Sequence, residues 1–353
     1  MPLQVITATD ASQRLADFDA VIDARSESEF ALDRLPGAVN WPSLSDAERI
    51  VIGTEYKQVS AFTAKKRGAV LVARNIALYI ERELLDAPRE WKPLIYCWRG
   101  GNRSNSLALV LSQIGFKVHL LEGGYTEFRR TVLADLETLP QQFNYRVICG
   151  KTGSGKSRLL TELAAQGAQV LDLEALANHR GSVLGLVPGS PQPSQKQFDT
   201  RVWHALRQFD ITRTVWIESE SKKVGELRVA QALIECMRSS NCVRLELPVA
   251  ARVALLMQDY DFFVEDIAAF CQRLDALRAL RGHEVIDAWQ EAARTGQLER
   301  VVRELLTDHY DPVYVASIQR NFAKFDEARW VEPVNGDATT LAAVARDLLQ
   351  TTS

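Results

Sequence analysis

The stretch "GKTGSGKS" (150–157) constrains this chain more than any other. It matches G-x-x-x-x-G-K-[ST] in full, follows an apolar run "YRVIC" (145–149) and precedes the helical pattern "SRLLTELAAQ". A glycine-rich turn between a strand and a helix turns backbone N–H groups and the positive end of the helix toward one anion. Gly153, Ser154 and Gly155 are expected to present N–H groups to a phosphate, with Gly150 opening the turn. Lys156 would neutralise terminal phosphates, and Ser157 would reach a metal or phosphate oxygen. An acid should end a neighbouring strand. Glu218, after "TVWI", is the first candidate and Asp172, after "QVL", the second; each reads equally well as a helix cap or a solvated acid. "ESESKKVG" (218–225) adds Ser219, Ser221, Lys222 and Lys223 near the same sheet edge. No nucleotide-hydrolysing machinery follows. The motif indicates diphosphate binding, and leaves open whether ATP or Mg²⁺ binds.

With 353 residues, the chain is too long for one ordinary core. A first α/β pattern runs through "DAVID" (19–23), "GAVNWP" (37–42), "PLIYC" (93–97) and "KVHLLEGG" (117–124), all read as strands. Between the last two, Leu107, Val110, Leu111 and Ile114 fall at i, i+3, i+4 and i+7, one face of an amphipathic helix. Strand, helix, strand over so short a span implies a parallel βαβ unit. "ETLPQQFN" (137–144) reads as a linker, after which "YRVIC", "AQVLDLE" (168–174), "TVWIE" (214–218) and "VRLELP" (243–248) make a second set of strands. Beyond about residue 250 the pattern is almost wholly helical, as in "DIAAFCQRLDALRAL" and "TTLAAVARDLLQ". The reading is an α/β domain over 1–138, a linker over 139–144, a phosphate-loop parallel α/β domain over 145–255 and an α-helical extension over 256–353.

"YCWRGGNRS" (96–104) places Cys97 at the carboxyl end of a strand and just before a helix, where open α/β sheets hold their ligands. Gly100 and Gly101 let amides converge on the sulfur, and Ser104 is read as the helix N-cap. With Arg99 and Arg103, these surroundings favour a thiolate or a terminal anionic atom. A lone cysteine is more often a small core hydrophobe. The Gly-Gly turn and the arginine pair reverse that preference here, whereas Cys149 reads as packed.

Composition narrows the classes. The net charge of −3 does not mark a nucleic-acid binder, although a basic face can hide in a neutral total. The five cysteines lack CxxC or zinc spacing, which indicates free thiols in a reducing compartment. "MPLQVITATDASQRL" lacks the basic and apolar pattern of a secretory leader, and Arg74 and Asn75 interrupt "AVLVARNIALYI", so a cytoplasmic chain with no membrane partner is expected. His119 reads as a core histidine, "NHRGSVLG" (178–185) as a connector or a phosphate contact, and "CQRLDALRALRG" as a solvated face more than an RNA surface.

Residues 19–130 resemble a rhodanese-like domain. "DARSESEFALDRLPGAVNWP" (23–42) is similar to its early signature and "LLEGGYTEFRR" (120–130) to its closing one, with Phe128 in place of the usual Trp. That resemblance implies that Cys97 carries sulfur or selenium. The C-x5-R-S spacing from Cys97 to Ser104 also resembles tyrosine-type phosphatases, although Tyr96 stands where those have His. The ordered set "YCWRGGNRS", "CGKTGSGKS" and "WIESES" resembles the bacterial tRNA 2-selenouridine synthase family over nearly the whole chain. This implies a P-loop NTPase-like second domain. It also implies a transferase that converts wobble 2-thiouridine of tRNA to 2-selenouridine through an S-geranyl intermediate. Geranyl diphosphate and selenophosphate are then substrates, no cofactor is tightly bound, and an enzyme supplying selenophosphate is a partner. The alternatives are a sulfurtransferase or C-x5-R phosphatase with a regulatory nucleotide-binding domain, and a tRNA-binding or kinase-like module with an inert cysteine.

Overall fold

The computed structural model describes residues 3–181, 185, 189–261 and 265–351. Residues 182–184, within the connector expected at 178–185, lie outside the described residues. The chain forms two units, Met1–Asp135 with Ser194–His204, and Leu136–Pro193 with Ala205–Ser353.

The first unit is built on five parallel strands: β1 (Gln4–Ile6), β2 (Ala20–Asp23), β3 (Ala38–Asn40), β4 (Pro93–Tyr96) and β5 (His119–Leu121), in the order β1-β5-β4-β2-β3. All four residues of β4 are buried, as expected of a central parallel strand covered on both faces. The expected helix runs Asn102–Ile114 and buries Leu107 and Leu111 against Ile22 and Ile95. Ile114 instead is 52% exposed, because Gly115, at φ +117°, ends the helix there. The strand β1 was not foreseen; three residues, two of them exposed, carry almost no periodic signal.

The segment from Ser194 to His204 belongs to this first unit, although it follows the phosphate loop in sequence. It lies in the helix Gln195–Arg207. Trp203 is fully buried, packs edge-on against Phe128 at 5.4 Å and donates its indole N–H to Asp135 at 2.7 Å. Thr200 donates to the buried Asp33 at 3.1 Å, and Arg129 is paired with Asp199.

The second unit has β6 (Tyr145–Cys149), β7 (Gln169–Leu171), β8 (Val215–Glu218), a short antiparallel pair β9 (Lys223–Val224) and β10 (Leu227–Arg228), β11 (Asn241–Leu245) and β12 (Arg329–Val331). Its five-stranded parallel sheet has the order β12-β11-β6-β8-β7. The tail read as wholly helical therefore returns to the sheet through β12, which pairs with β11. That strand is three residues long, with Arg329 and Trp330 exposed at the sheet edge, so it lacks an alternating pattern. The last helix, Ala338–Gln350, packs Ala345 and Leu348 against Leu159, Leu160 and Leu163 of the phosphate-loop helix. A separate helical core gathers Phe270, Leu274, Ile286, Trp289, Val301 and Leu305. The stretch read as a linker is a helical turn at Leu139–Gln142, with Pro140 and Phe143 buried. No helix among the described residues is long and apolar enough to cross a membrane.

Candidate functional site

In the first unit, Cys97 follows β4 and is 2% exposed. Its Sγ accepts from the Gly101 N–H at 3.3 Å and from the Ser104 hydroxyl at 3.1 Å. Ser104 is thus not the N-cap. The helix begins at Asn102 with Gly101 at the cap, which turns the buried Ser104 hydroxyl back onto the sulfur. Gly100 has φ +67° and Gly124 has φ +59°. A Cβ on Gly124 would stand 2.3 Å from the Cys97 carbonyl oxygen and 2.7 Å from the Gly100 nitrogen, so only glycine fits beneath this loop.

Arg103 is paired with Glu29 at 2.7 Å, which also holds Arg49 at 2.7 Å. Burial works against the Glu29 charge, but Arg103 and Arg49 outweigh it and keep the carboxyl below its ordinary range. Arg103 therefore frames the loop through Glu29, and no hydrogen bond joins it to the sulfur among the described residues. Arg99 is exposed. The Asp-x-Arg of the early signature is a buried pair, Asp23 with Arg25 at 2.6 Å, and the guanidinium lies 4.0 Å from the Tyr125 ring. His119 is buried in β5, with Nδ1 at 3.0 Å from the Lys117 carbonyl oxygen, and is a core histidine.

In the second unit, the loop after β6 turns on Gly153 and Gly155, at φ +77° and +82°, into the helix Lys156–Ala165. A Cβ on Gly150 would meet the Leu245 carbonyl oxygen at 2.6 Å, so the loop lies tight on β11. Lys156 Nζ donates to the Gly150 carbonyl at 2.8 Å. The Ser154 amide closes a turn onto the Lys151 carbonyl at 3.1 Å. Ser157 donates to Glu174 at 3.0 Å and approaches Glu218 at 3.4 Å.

Glu218 ends β8, as expected, and is fully buried. Asp172 instead caps the short helix Leu173–Leu176, accepting from the Ala175 N–H at 2.8 Å. The acids that meet Glu218 are Glu174 and Glu220, with one oxygen of each within 4.8 Å of the others. Neither was foreseen, although each lies two residues beyond a candidate acid at a strand's carboxyl end. Burial, then the crowding of Glu174, Glu220 and Asp172, pushes the Glu218 carboxyl well up. Burial and Glu174 push Glu220 up to about 8 against the pull of Lys156. Three crowded carboxyls beside Lys156 and the Ser157 hydroxyl offer hard oxygen donors suited to a divalent cation. Ser219 bonds to Tyr314, while Lys222 and Lys223 point to solvent.

Two more residues escaped the sequence reading. Arg252, 1% exposed, donates to the Thr152 carbonyl at 2.7 and 2.9 Å and pairs with Asp311 at 2.6 Å. Tyr314 accepts the Gly150 N–H at 2.6 Å. Nothing in the sequence marks either, since both are distant along the chain from the loop they hold. A cleft of about 960 Å³ opens at residues 152–157 and continues along the helix Asp311–Asn321, where Leu256, Val313, Tyr314, Ile318 and Phe322 give it an apolar wall. In the helix of the arginine-bearing segment, Arg278 is paired with Asp275 at 2.7 Å and Asp287 at 2.7 Å, which fits a solvated, self-neutralised face.

A cysteine loop closing one parallel sheet and a phosphate loop closing another define an α/β enzyme in which a rhodanese-like domain is joined to a P-loop domain. Family models agree: a rhodanese-like domain matches residues 7–131 and a tRNA 2-selenouridine synthase AAA domain matches 143–284. The chain belongs to the tRNA 2-selenouridine synthase family and is an enzyme. It is 30% identical over 332 residues to the tRNA 2-selenouridine synthase of Sulfurovum sp. (strain NBC37-1), covering 86% of this chain and 90% of that protein. It is 34% identical over 244 residues to that of Nitrosomonas europaea, covering 68% of this chain and 63% of the relative. A rhodanese-related protein from Thermoplasma volcanium aligns in structure over 36% of this chain and 92% of its own, at 18% identity and a TM-score of 0.24.

Proposed function

We propose that this chain makes 2-selenouridine from wobble 2-thiouridine in tRNA, in the cytoplasm, through an S-geranyl-2-thiouridine intermediate. Geranyl diphosphate and selenophosphate are its substrates, the latter supplied by a separate enzyme. The observation that carries the reading is the phosphate-loop cleft whose wall turns apolar along the helix Asp311–Asn321. Such a wall suits a diphosphate that bears a hydrocarbon chain. Val313 to Asn321 offers about 12 Å of helix for that chain, with Phe322 just beyond it.

In the first step the thiocarbonyl sulfur bonds to C1 of the geranyl group, the C1–O bond breaks and diphosphate leaves. The base loses its N3 proton. Lys156 and the loop amides stabilise charge on the departing diphosphate, which is the term that lowers the barrier. Ser157, Glu174, Glu218 and Glu220 would hold a divalent cation, which when bound supplies further charge neutralisation. S-alkylation then makes C2 open to displacement: the selenium of selenophosphate bonds to C2, the C2–S bond breaks and geranylthiol leaves with a proton, and water then cleaves the Se–P bond to release phosphate and leave selenium on the base. Cys97 positions the selenium, with the Gly101 N–H and Ser104 hydroxyl steadying negative charge, while the exposed Arg99 favours the anionic donor and Arg103 holds the loop in shape through Glu29. The commitment of Arg103 to Glu29 speaks against a phosphatase, which needs that guanidinium for its phosphate.

The test is mass spectrometry of tRNA nucleosides from a deletion strain and its complemented counterpart. Loss and return of 2-selenouridine is expected; an unchanged level overturns the proposal.

A further inference from the structure

Trp98 directly follows Cys97 and is 36% exposed, while Tyr96 and Cys97 beside it are buried. Its backbone is fixed, for its carbonyl accepts both the Thr126 N–H at 3.0 Å and the Thr126 hydroxyl at 2.8 Å. Tyr125 supports the ring from one side, centroids 5.4 Å apart and planes tilted by 37°. Two cations flank the ring: Lys196 Nζ lies 5.9 Å from its centroid and Arg25 Cζ 6.0 Å. Arg25 is buried and committed to Asp23, but Lys196 and Arg99 are exposed and face solvent.

Lys196 is held in place from several directions. Its carbonyl accepts from Arg129 Nη1 at 3.1 Å, and Arg129 also grips Asp199 one turn on. Ser194 bonds to the Leu32 carbonyl, and Thr200 donates to the buried Asp33. This explains why the start of the helix Gln195–Arg207 belongs to the rhodanese-like unit: it delivers an ammonium over an aromatic ring beside the nucleophile.

From this geometry we infer that Trp98 and Lys196 form a stacking platform that holds an unpaired tRNA base next to the one modified at Cys97. The inference rests on the tRNA reading above. A part-exposed indole beside an exposed ammonium, with the exposed Arg99 next to it in sequence, matches a base and its phosphates together. It excludes duplex RNA, whose base faces are already stacked. Trp98 and Lys196 are positioning residues and take no part in bond making. A protein partner docking on Trp98 is the competing occupant.

The experiment uses the full chain as wild type, Trp98→Ala, Trp98→Phe, Lys196→Ala and Lys196→Arg, with an anticodon stem–loop RNA carrying 2-thiouridine. Binding is followed by fluorescence anisotropy, KM and kcat by 2-selenouridine formation, and folding by thermal melting. Trp98→Ala is expected to weaken binding and raise KM for the RNA by at least about fivefold, more than it lowers kcat, with Trp98→Phe restoring most of the loss. Lys196→Ala should weaken binding and flatten its salt dependence, and Lys196→Arg should rescue both. A folded Trp98→Ala with wild-type RNA affinity, or one impaired only toward selenophosphate or a protein partner, overturns the platform. If the wild type forms no 2-selenouridine, the proposed function fails instead, and anisotropy alone still decides the platform.

Discussion

The hydroxyl of Tyr314 accepts the N–H of Gly150 at 2.6 Å, tying the helix Asp311–Asn321 to the first residue of the phosphate loop. The same oxygen stands 3.0 Å from Ser219 Oγ, after β8, and the ring lies 5.7 Å from Lys156 Nζ. One side chain from far along the sequence thus fixes the loop, its lysine and the strand bearing Glu218. Tyr314→Phe leaves a buried amide without an acceptor, and should cost about 1–3 kcal/mol in urea unfolding. Geranylation should fall together with it. Wild-type stability and geranylation would show that the contact is incidental.

The two loops are expected to divide the chemistry. Cys97→Ala should abolish selenation and leave geranylation largely intact, and Ser104→Ala, which removes a donor to the sulfur, should slow selenation alone. Lys156→Ala should impair geranylation first. Separate assays of S-geranyl-2-thiouridine and 2-selenouridine by mass spectrometry check this. Loss of both steps in every variant would refute the division.

Gly124→Ala should disable Cys97 without touching it. The new methyl would collide with the Cys97 carbonyl, at 2.3 Å, in a backbone conformation at φ +59° that alanine resists. The conformational strain alone is of order 1–3 kcal/mol. Loss of selenation with geranylation preserved is the expected readout, accompanied by a lower melting temperature.

Arg252 is a buried cation whose partners are Asp311 and the Thr152 carbonyl. Arg252→Met removes one member of a buried pair and leaves Asp311, 17% exposed in its side chain, without its partner. About 3–5 kcal/mol of destabilisation is expected from such a deletion. Denaturant unfolding measures it, and Arg252→Met combined with Asp311→Leu should recover part of the loss.

Asp33 supplies a pH dependence with a defined sign. Burial raises its pKa above the ordinary 3.8, although Tyr125 and Thr200 donate to it and oppose the shift. A carboxyl raised on folding binds its proton more tightly in the native state. Its contribution is therefore full below about pH 3.8 and is lost as pH rises through the native value. Asp33→Asn should remove that loss, so the stability difference between variant and wild type should grow in the variant's favour from pH 4 upward. Parallel pH profiles of urea unfolding for the two proteins would expose a contrary slope.

Local sequence determined a great deal here. A strand, a glycine-rich turn and a helix are short-range objects, so "YRVICGKTGSGKS" declares its own conformation. The Cys97 loop was readable for the same reason, as was Glu218 at the end of β8. What escaped depends on which segments meet. The strand order β12-β11-β6-β8-β7 brings the ends of β7 and β8 beside the loop, so Glu174 and Glu220 join Glu218, while Asp172 caps a helix close enough to add to their crowding. Arg103 is paired with Glu29, 74 residues earlier, a partner that no local pattern announces. Tyr314 and Arg252 carry no motif, because their importance comes from burial and reach across the fold. The sequence by itself determined two loops and the elements that flank them. Only the tertiary structure decided which carboxylates, rings and cations stand around them, because long-range packing brings together residues whose local patterns are silent.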